Sequence, residues 1–278
     1  MGPGHIIFQD KTYDFELRRT LGYTLTGGSD INECLETARH IKEGDEESWY
    51  AEWRALADRI RCIGEACLAR RHRVSAREAF LRASNYYRTA EFYLHGNPRD
   101  PRILETWRQS RETFRRAARL CNHPIEVVKI PYGGTTLPGY VCRPDNSRTP
   151  RKTLILQTGF DGTAEELYLE VAIFALRRGY NVLIFEGPGQ GGALREQHLY
   201  FRPDWEKVVT PVVDFALTRP EFDPPGGWPS WVSAWAATWR PELRHLTPGW
   251  LRSSPIPESM TWRRVRSRAK PQRKENWP

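Results

Sequence analysis

The sequence predicts an α/β protein: an N-terminal helical domain, then an incomplete parallel sheet, then a disordered tail. Three observations predict it. Apolar residues recur at steps of three and four through the first third, strand periods begin near Pro124, and from Asp223 a stretch dense in Trp, Pro and Gly breaks both patterns. The boundaries fall at 1–122, 123–224 and 225–278.

In the helical domain, Ser48 to Arg71 places Trp49, Trp53, Leu56, Ile60, Ile63 and Cys67 on one stripe. The next helix is expected to start at a capping box of Ser75 and Glu78, ahead of Ala79, Phe80 and Leu81. A third follows Pro101, after the turn-like run from His95. Short connections between long helices imply antiparallel packing, so the aromatic stripes are assigned to helix contacts rather than to a ligand wall. No strict repeat period marks a solenoid.

In the second region IEVVKIPY and LPGYVCRP are expected strands joined by the turn GGTT. TLILQTGF is a short apolar strand, EELYLEVAIFALRRGY a helix closed by Gly179, and NVLIFEGPGQGG a second buried strand. Strand, helix and strand in alternation predict parallel pairing with covered faces. PDWEKVVTPVVDFAL supplies one more helix. Chemistry in such sheets gathers at the carboxyl ends of strands, which are GFDGT (159–163) and EGPGQGG (186–192). Gly187, Gly189 and Gly192 satisfy the spacing of a dinucleotide-binding turn. However, Pro188 removes a donor that a pyrophosphate needs, and no second strand ending in an acid follows about twenty residues on. A tight structural turn is the better reading, and no cofactor is expected.

Composition excludes other classes. The five cysteines, Cys34, Cys62, Cys67, Cys121 and Cys142, are odd in number and lack a CxxC, so neither a disulfide framework nor a metal site is expected. No apolar run is long enough for a membrane span or signal peptide, which predicts a cytoplasmic chain without membrane partners. The net charge of +8 suggests nucleic acid at first sight. Its distribution argues otherwise, because residues 225–278 carry 10 Lys/Arg against 3 Asp/Glu and the remaining residues 32 against 31. The tail also holds seven of the eleven Trp.

The ordered set GFDGTAEELY, NVLIFEGPGQGG and RPDWEKVVTPVVDFAL, preceded by SWYAEW and SAREAFLRASNYYRTAEFYL, resembles the α/β-hydrolases with an N-terminal helical cap. Within them it is most similar to the group of 2,6-dihydroxypseudooxynicotine hydrolase and the FrsA-like esterases. The resemblance covers roughly residues 8–224. It implies that 123–224 is the first half of an α/β-hydrolase domain, that the relatives are serine hydrolases of ester or C–C bonds next to a carbonyl, that their substrates are small molecules, and that they form homodimers through the helical domain. It places Gly159 and Phe160 in the first oxyanion loop, with the Phe160 N–H as one donor. Asp161, Glu186, Gly187 and Gly189 become substrate-loop candidates. The nucleophile is expected on a Gly-x-Ser-x-Gly elbow after the next strand, with an acid and a His further on.

This chain has no Gly-x-Ser-x-Gly. Where it should stand, four Trp occupy the twelve positions from Trp228 to Trp239. Trp has one codon, TGG, so each Trp fixes three bases. Regrouping the third base of each codon with the first two of the next lets Gly226 to Pro241 read Arg-Val-Ala-Leu-Met-Gly-Val-Ser-Met-Gly-Gly-Tyr-Leu-Ala-Pro. Trp228 with Pro229 forces the first Ala, and Trp231 with Val232 and Trp235 with Ala236 force two Gly. The second Ala follows Trp239 if Arg240 uses a CGN codon; the other residues are allowed choices. The result is an apolar strand followed by the missing elbow, with its Ser arising across Ser233 and Ala234. The expectation is a frameshift near Asp223 to Pro225 and a truncated domain, with no catalytic role for Ser230, Ser233 or His245. Such a chain keeps half an oxyanion hole and no triad, and is expected to be inactive. The strand at Thr153 to Gln157 would be left with an unpaired edge, an aggregation hazard. The alternative is a non-enzymatic binding or scaffold protein working through the helical domain and basic tail.

Overall fold

The computed structural model describes residues 4–223 and the backbone of Ser230–Trp231. The expectations for Ser233, His245 and the rest of the tail lie outside the described residues.

Five α-helices build the N-terminal unit: α1 Lys11–Leu21, α2 Ile31–His40, α3 Glu46–Ala69, α4 Arg73–Glu91 and α5 Pro101–Ala118. Asp10, Asp30, Asp45 and Asp100 cap α1, α2, α3 and α5, each carboxylate accepting backbone N–H groups of the first turn. Pro101 sits at the start of α5, where its missing N–H costs nothing. The expected capping box is corrected: α4 begins at Arg73, so Ser75 and Glu78 lie inside it. The chain turns there through Arg71 at φ 63°, with the His72 N–H returning to Cys67 O, and the helix starts as soon as that turn closes.

The stripe of α3 buries Trp49, Trp53, Leu56 and Ile60 against Tyr86 and Tyr87 of α4 and Tyr13 of α1, whereas Ile63 is largely exposed. Trp49 Nε1 donates to Thr89 O at 2.8 Å, so the buried indole is satisfied. These stripes are helix-packing core.

The sheet contains β1 Ile125–Tyr132, β2 Thr135–Cys142, β3 Arg151–Gln157 and β4 Asn181–Phe185 in the order β1-β2-β4-β3. It is mixed: the β1–β2 hairpin is antiparallel, β2 meets β4 antiparallel, and β3 and β4 run parallel from Thr153↔Asn181 to Gln157↔Phe185. Between β3 and β4 the chain crosses as one helical stretch, α6 Ala164–Leu167, a π segment Tyr168–Ala172 and α7 Ile173–Leu176. Gly179 closes it at φ 79°.

Period-two alternation gives the sheet two apolar faces. Tyr140, Cys142, Leu154, Leu156, Val182 and Ile184 face the helical unit and α6–α7. Val141, Ile155, Leu183 and Phe185 face Val208, Val212 and Ala216 of the last helix. After α8 Gly191–Arg195, that helix is α9, Glu206–Leu217.

The outer edge of β3 differs from expectation. The short strand β5, Phe222–Asp223, pairs parallel with Arg151–Lys152, and β6, Ser230–Trp231, pairs parallel with Leu154–Ile155. The edge is therefore partly covered, because the chain returns to β3 immediately after α9.

Candidate functional site

The loops after β3 and β4 lie side by side because their strands are parallel neighbours. Gln190 ties them together: its Oε1 accepts the Gly187 N–H at 2.9 Å and its Nε2 donates to Thr158 O. Gln157 Oε1 accepts from Trp205 Nε1 at 2.8 Å, which anchors the end of β3 to the segment before α9.

In the first loop Gly159 is buried and Phe160 is 51% exposed. The Phe160 ring packs on Phe201, centroids 4.8 Å apart, and Phe201 packs on Trp205 at 5.9 Å. Gly162 doubles back so closely on Thr158 that its position has no room for a Cβ. Thr163 then caps α6 by accepting the Glu166 N–H at 3.2 Å.

In the second loop Gly189 has φ 83° and lies flat against the Phe201 ring, so both backbone and space demand glycine. Gly187 faces Trp205. Glu186 is 3% exposed, and both its oxygens are taken by backbone donors: Ala164 N–H at 2.9 Å and Gly192 N–H at 2.7 Å. Burial, and after it the charge of Glu165, pushes its carboxyl up to about 7. Glu186 thus braces the starts of α6 and α8, and the glycine run forms the tight structural turn expected of it.

Asp161 points toward the helical unit. Its Oδ2 accepts from Arg19 Nη1 at 2.5 Å, while Arg19 Nε and Nη2 grip the two oxygens of Glu166 at 2.7 Å each. Glu166 also accepts from Tyr23 OH at 2.7 Å. Behind it Arg88 Nη1 donates to Glu16 Oε2 at 3.2 Å, and Arg19 Nη1 lies 3.3 Å from Glu16 Oε1. Burial alone would raise the Asp161 carboxyl, but the adjacent Arg19 charge overcomes it and brings the group down to about 2. Glu166 moves the same way under Arg19 and Arg88, whereas burial keeps Glu16 raised.

The sequence reading missed Glu16, Arg19, Arg88 and Glu166. Their signal was weak: charged positions on the inward faces of α1, α4 and α6, which periodicity alone assigns to solvent. Between α4 and α6 the side chains of Asn85, Arg88, Glu165 and Glu166 close without room for a water molecule, so no ligand pocket opens at this point. Among the described residues, no cluster of three or more His, Cys, Asp or Glu is arranged to hold a metal ion, and no helix is long and apolar enough to cross a membrane.

No family model matches the chain. It is 43% identical over 225 residues to 20-hydroxy-prefusarin hydrolase FUS2 of Gibberella moniliformis, which covers 79% of this chain and 54% of that protein. It is 42% identical over 224 residues to Hydrolase LUC6 of Fusarium sp, covering 77% and 52%. To Alpha/beta hydrolase psoB of Aspergillus fumigatus it is 40% identical over 234 residues, covering 80% and 53%. The chain belongs to the α/β-hydrolases. It spans about half the length of the curated relatives it matches. The solved structure of 2,6-dihydroxy-pseudo-oxynicotine hydrolase superposes with a TM-score of 0.64 at 23% identity, over 77% of this chain and 57% of that one, and this supports the fold. The two loops follow the carboxyl ends of the parallel strands β3 and β4.

Proposed function

We propose that the gene encodes a serine hydrolase of ester or C–C bonds next to a carbonyl, acting on a small molecule in the cytoplasm, and that the chain as written is inactive because its nucleophile elbow is read out of frame from near Asp223. The codon geometry of the Trp-rich stretch carries this reading. Trp231 and Trp235, each with its follower, force two glycines at the spacing of Gly-x-Ser-x-Gly, directly after an apolar run. The position of β6 supports it, since Ser230–Trp231 lies parallel to β3 where a hydrolase carries its nucleophile strand.

An unactivated serine is a poor nucleophile. It needs a His base, an acid to orient that base, and N–H donors facing the developing oxyanion. In the restored frame the Ser spanning Ser233 and Ala234 attacks the carbonyl carbon. The N–H of Phe160 and that of the residue after the nucleophile receive the oxyanion. Gln190 and Glu186 hold the donor loop against its neighbour.

The test is a p-nitrophenyl ester hydrolysis assay on two proteins, the chain as written and the chain with one base restored between the codons of Phe222 and Gly226. Activity in the restored chain alone supports the proposal. Activity in neither overturns it in favour of a binding or scaffold protein, and activity in the written chain overturns its inactivity.

A further inference from the structure

We propose that Arg19, from the first helix of the N-terminal unit, is a positioning residue that sets the oxyanion loop through Asp161. It deepens the proposed function by naming what holds the Phe160 N–H in place, and its catalytic arm rests on that reading.

The segment between β3 and α6 is fixed at three of its positions. Thr158 O is held by Gln190 Nε2, Gly162 is pressed on Thr158, and Thr163 caps α6. Between them only Asp161 carries a side chain able to bind a neighbour ionically, and it is adjacent in sequence to Phe160. Its partner is Arg19, 142 residues earlier in the chain.

Arg19 suits this task because its guanidinium is itself immobile. The fork on Glu166 uses Nε and Nη2, which leaves Nη1 directed at Asp161 and Glu16. Glu166 belongs to the first turn of α6, so one cation spans the loop and the helix after it. The Arg19 side chain is 8% exposed and Glu166 4%, which strengthens the pairing relative to a surface ion pair. Lysine, a single point charge, cannot make the fork and reach Asp161 together. An oxyanion donor must sit within a fraction of an ångström of its place, and a misplacement of about 1 Å can cost about 10²-fold in rate.

Hydrogen exchange on the 278-residue chain tests the positioning. Asp161→Ala leaves the Arg19–Glu166 fork intact and is expected to speed exchange of amides 160–163 by about 10-fold, with β4 and α3 unchanged. Asp161→Asn, whose amide oxygen still accepts from Arg19 Nη1, is expected to restore most of the protection. Unchanged loop exchange, or acceleration spread over β4 and α3, overturns the proposal. In the restored-frame chain Asp161→Ala is expected to lower kcat by about 10–100-fold with KM within about twofold. An unaltered kcat beside a loosened loop overturns the catalytic arm. If the restored parent chain hydrolyses no ester, the proposed function fails instead, and the exchange result alone decides whether Arg19 holds the loop.

Discussion

Glu186 accepts the Ala164 N–H at 2.9 Å through one oxygen and the Gly192 N–H at 2.7 Å through the other. A single buried carboxylate at the end of β4 therefore serves the first turns of two helices, one after each loop of the site. Glu186→Leu leaves both donors buried without partners. At about 1–3 kcal/mol for each, the loss is about 2–6 kcal/mol. Glu186→Gln should lose less, because a group raised to about 7 is already partly neutral near that pH. Urea denaturation of the two variants measures the difference, and equal stabilities would contradict this role.

Arg88 and Glu16 are 3% and 1% exposed. Arg88→Met strands a buried carboxylate that Arg19 only partly serves, and the expected loss is about 3–5 kcal/mol. Adding Glu16→Gln should recover part of it, since the stranded charge goes. A double-mutant cycle by urea denaturation reads this, and simple additivity would contradict it.

Stability should fall as pH rises through neutrality. Glu170 is raised from 4.5 to about 7, first by burial and then by the charge of Glu166, and Glu186 is raised similarly. A carboxyl with a raised folded value contributes most below its unfolded value near 4.5, and that contribution is lost as pH climbs through 7. Asp161 works oppositely: lowered from 3.8 to about 2, it stabilises above 3.8 and loses its effect as pH falls through 2. Glu170→Gln should flatten the profile between about pH 5 and 8 and raise Tm at pH 8 by about 2–4 °C, the scale of about 1 kcal/mol. Calorimetry across that range checks it; an unchanged slope would contradict the assignment.

Gly64 separates propensity from packing. In the interior of α3, alanine would gain about 1 kcal/mol of helix propensity. A Cβ there would lie 2.6 Å from the Phe80 ring of α4, and overpacking costs about 1–3 kcal/mol. Packing should win, so Gly64→Ala lowers Tm. A higher Tm would mean that the Phe80 ring yields freely.

The sequence made much of this fold legible where one physical signal dominates. The aromatic stripe of α3, the hairpin at Gly133–Gly134 and the β3–α6–α7–β4 crossover all follow from period and turn chemistry. The start of α4 did not, because Ser75 and Glu78 have a capping pattern while the turn at Arg71 decides the boundary. Helices α1 and α2 passed unnoticed, their apolar positions being few and interrupted by charge. The two glycine-bearing loops of the candidate site were legible as turns at strand ends. The buried ion network of that site was not, since Arg19 and Asp161 stand 142 residues apart in sequence and meet only once the chain between them has folded.

The nucleotide sequence of the transcript across the codons for Phe222 to Pro241 tests the central claim most directly. The account predicts that one base has been gained or lost near Asp223–Pro225, and that the corrected frame encodes Gly-x-Ser-x-Gly across Trp231 to Ala236. A frame that stands as written, or bases across Ser233 and Ala234 that cannot encode Ser, would contradict it.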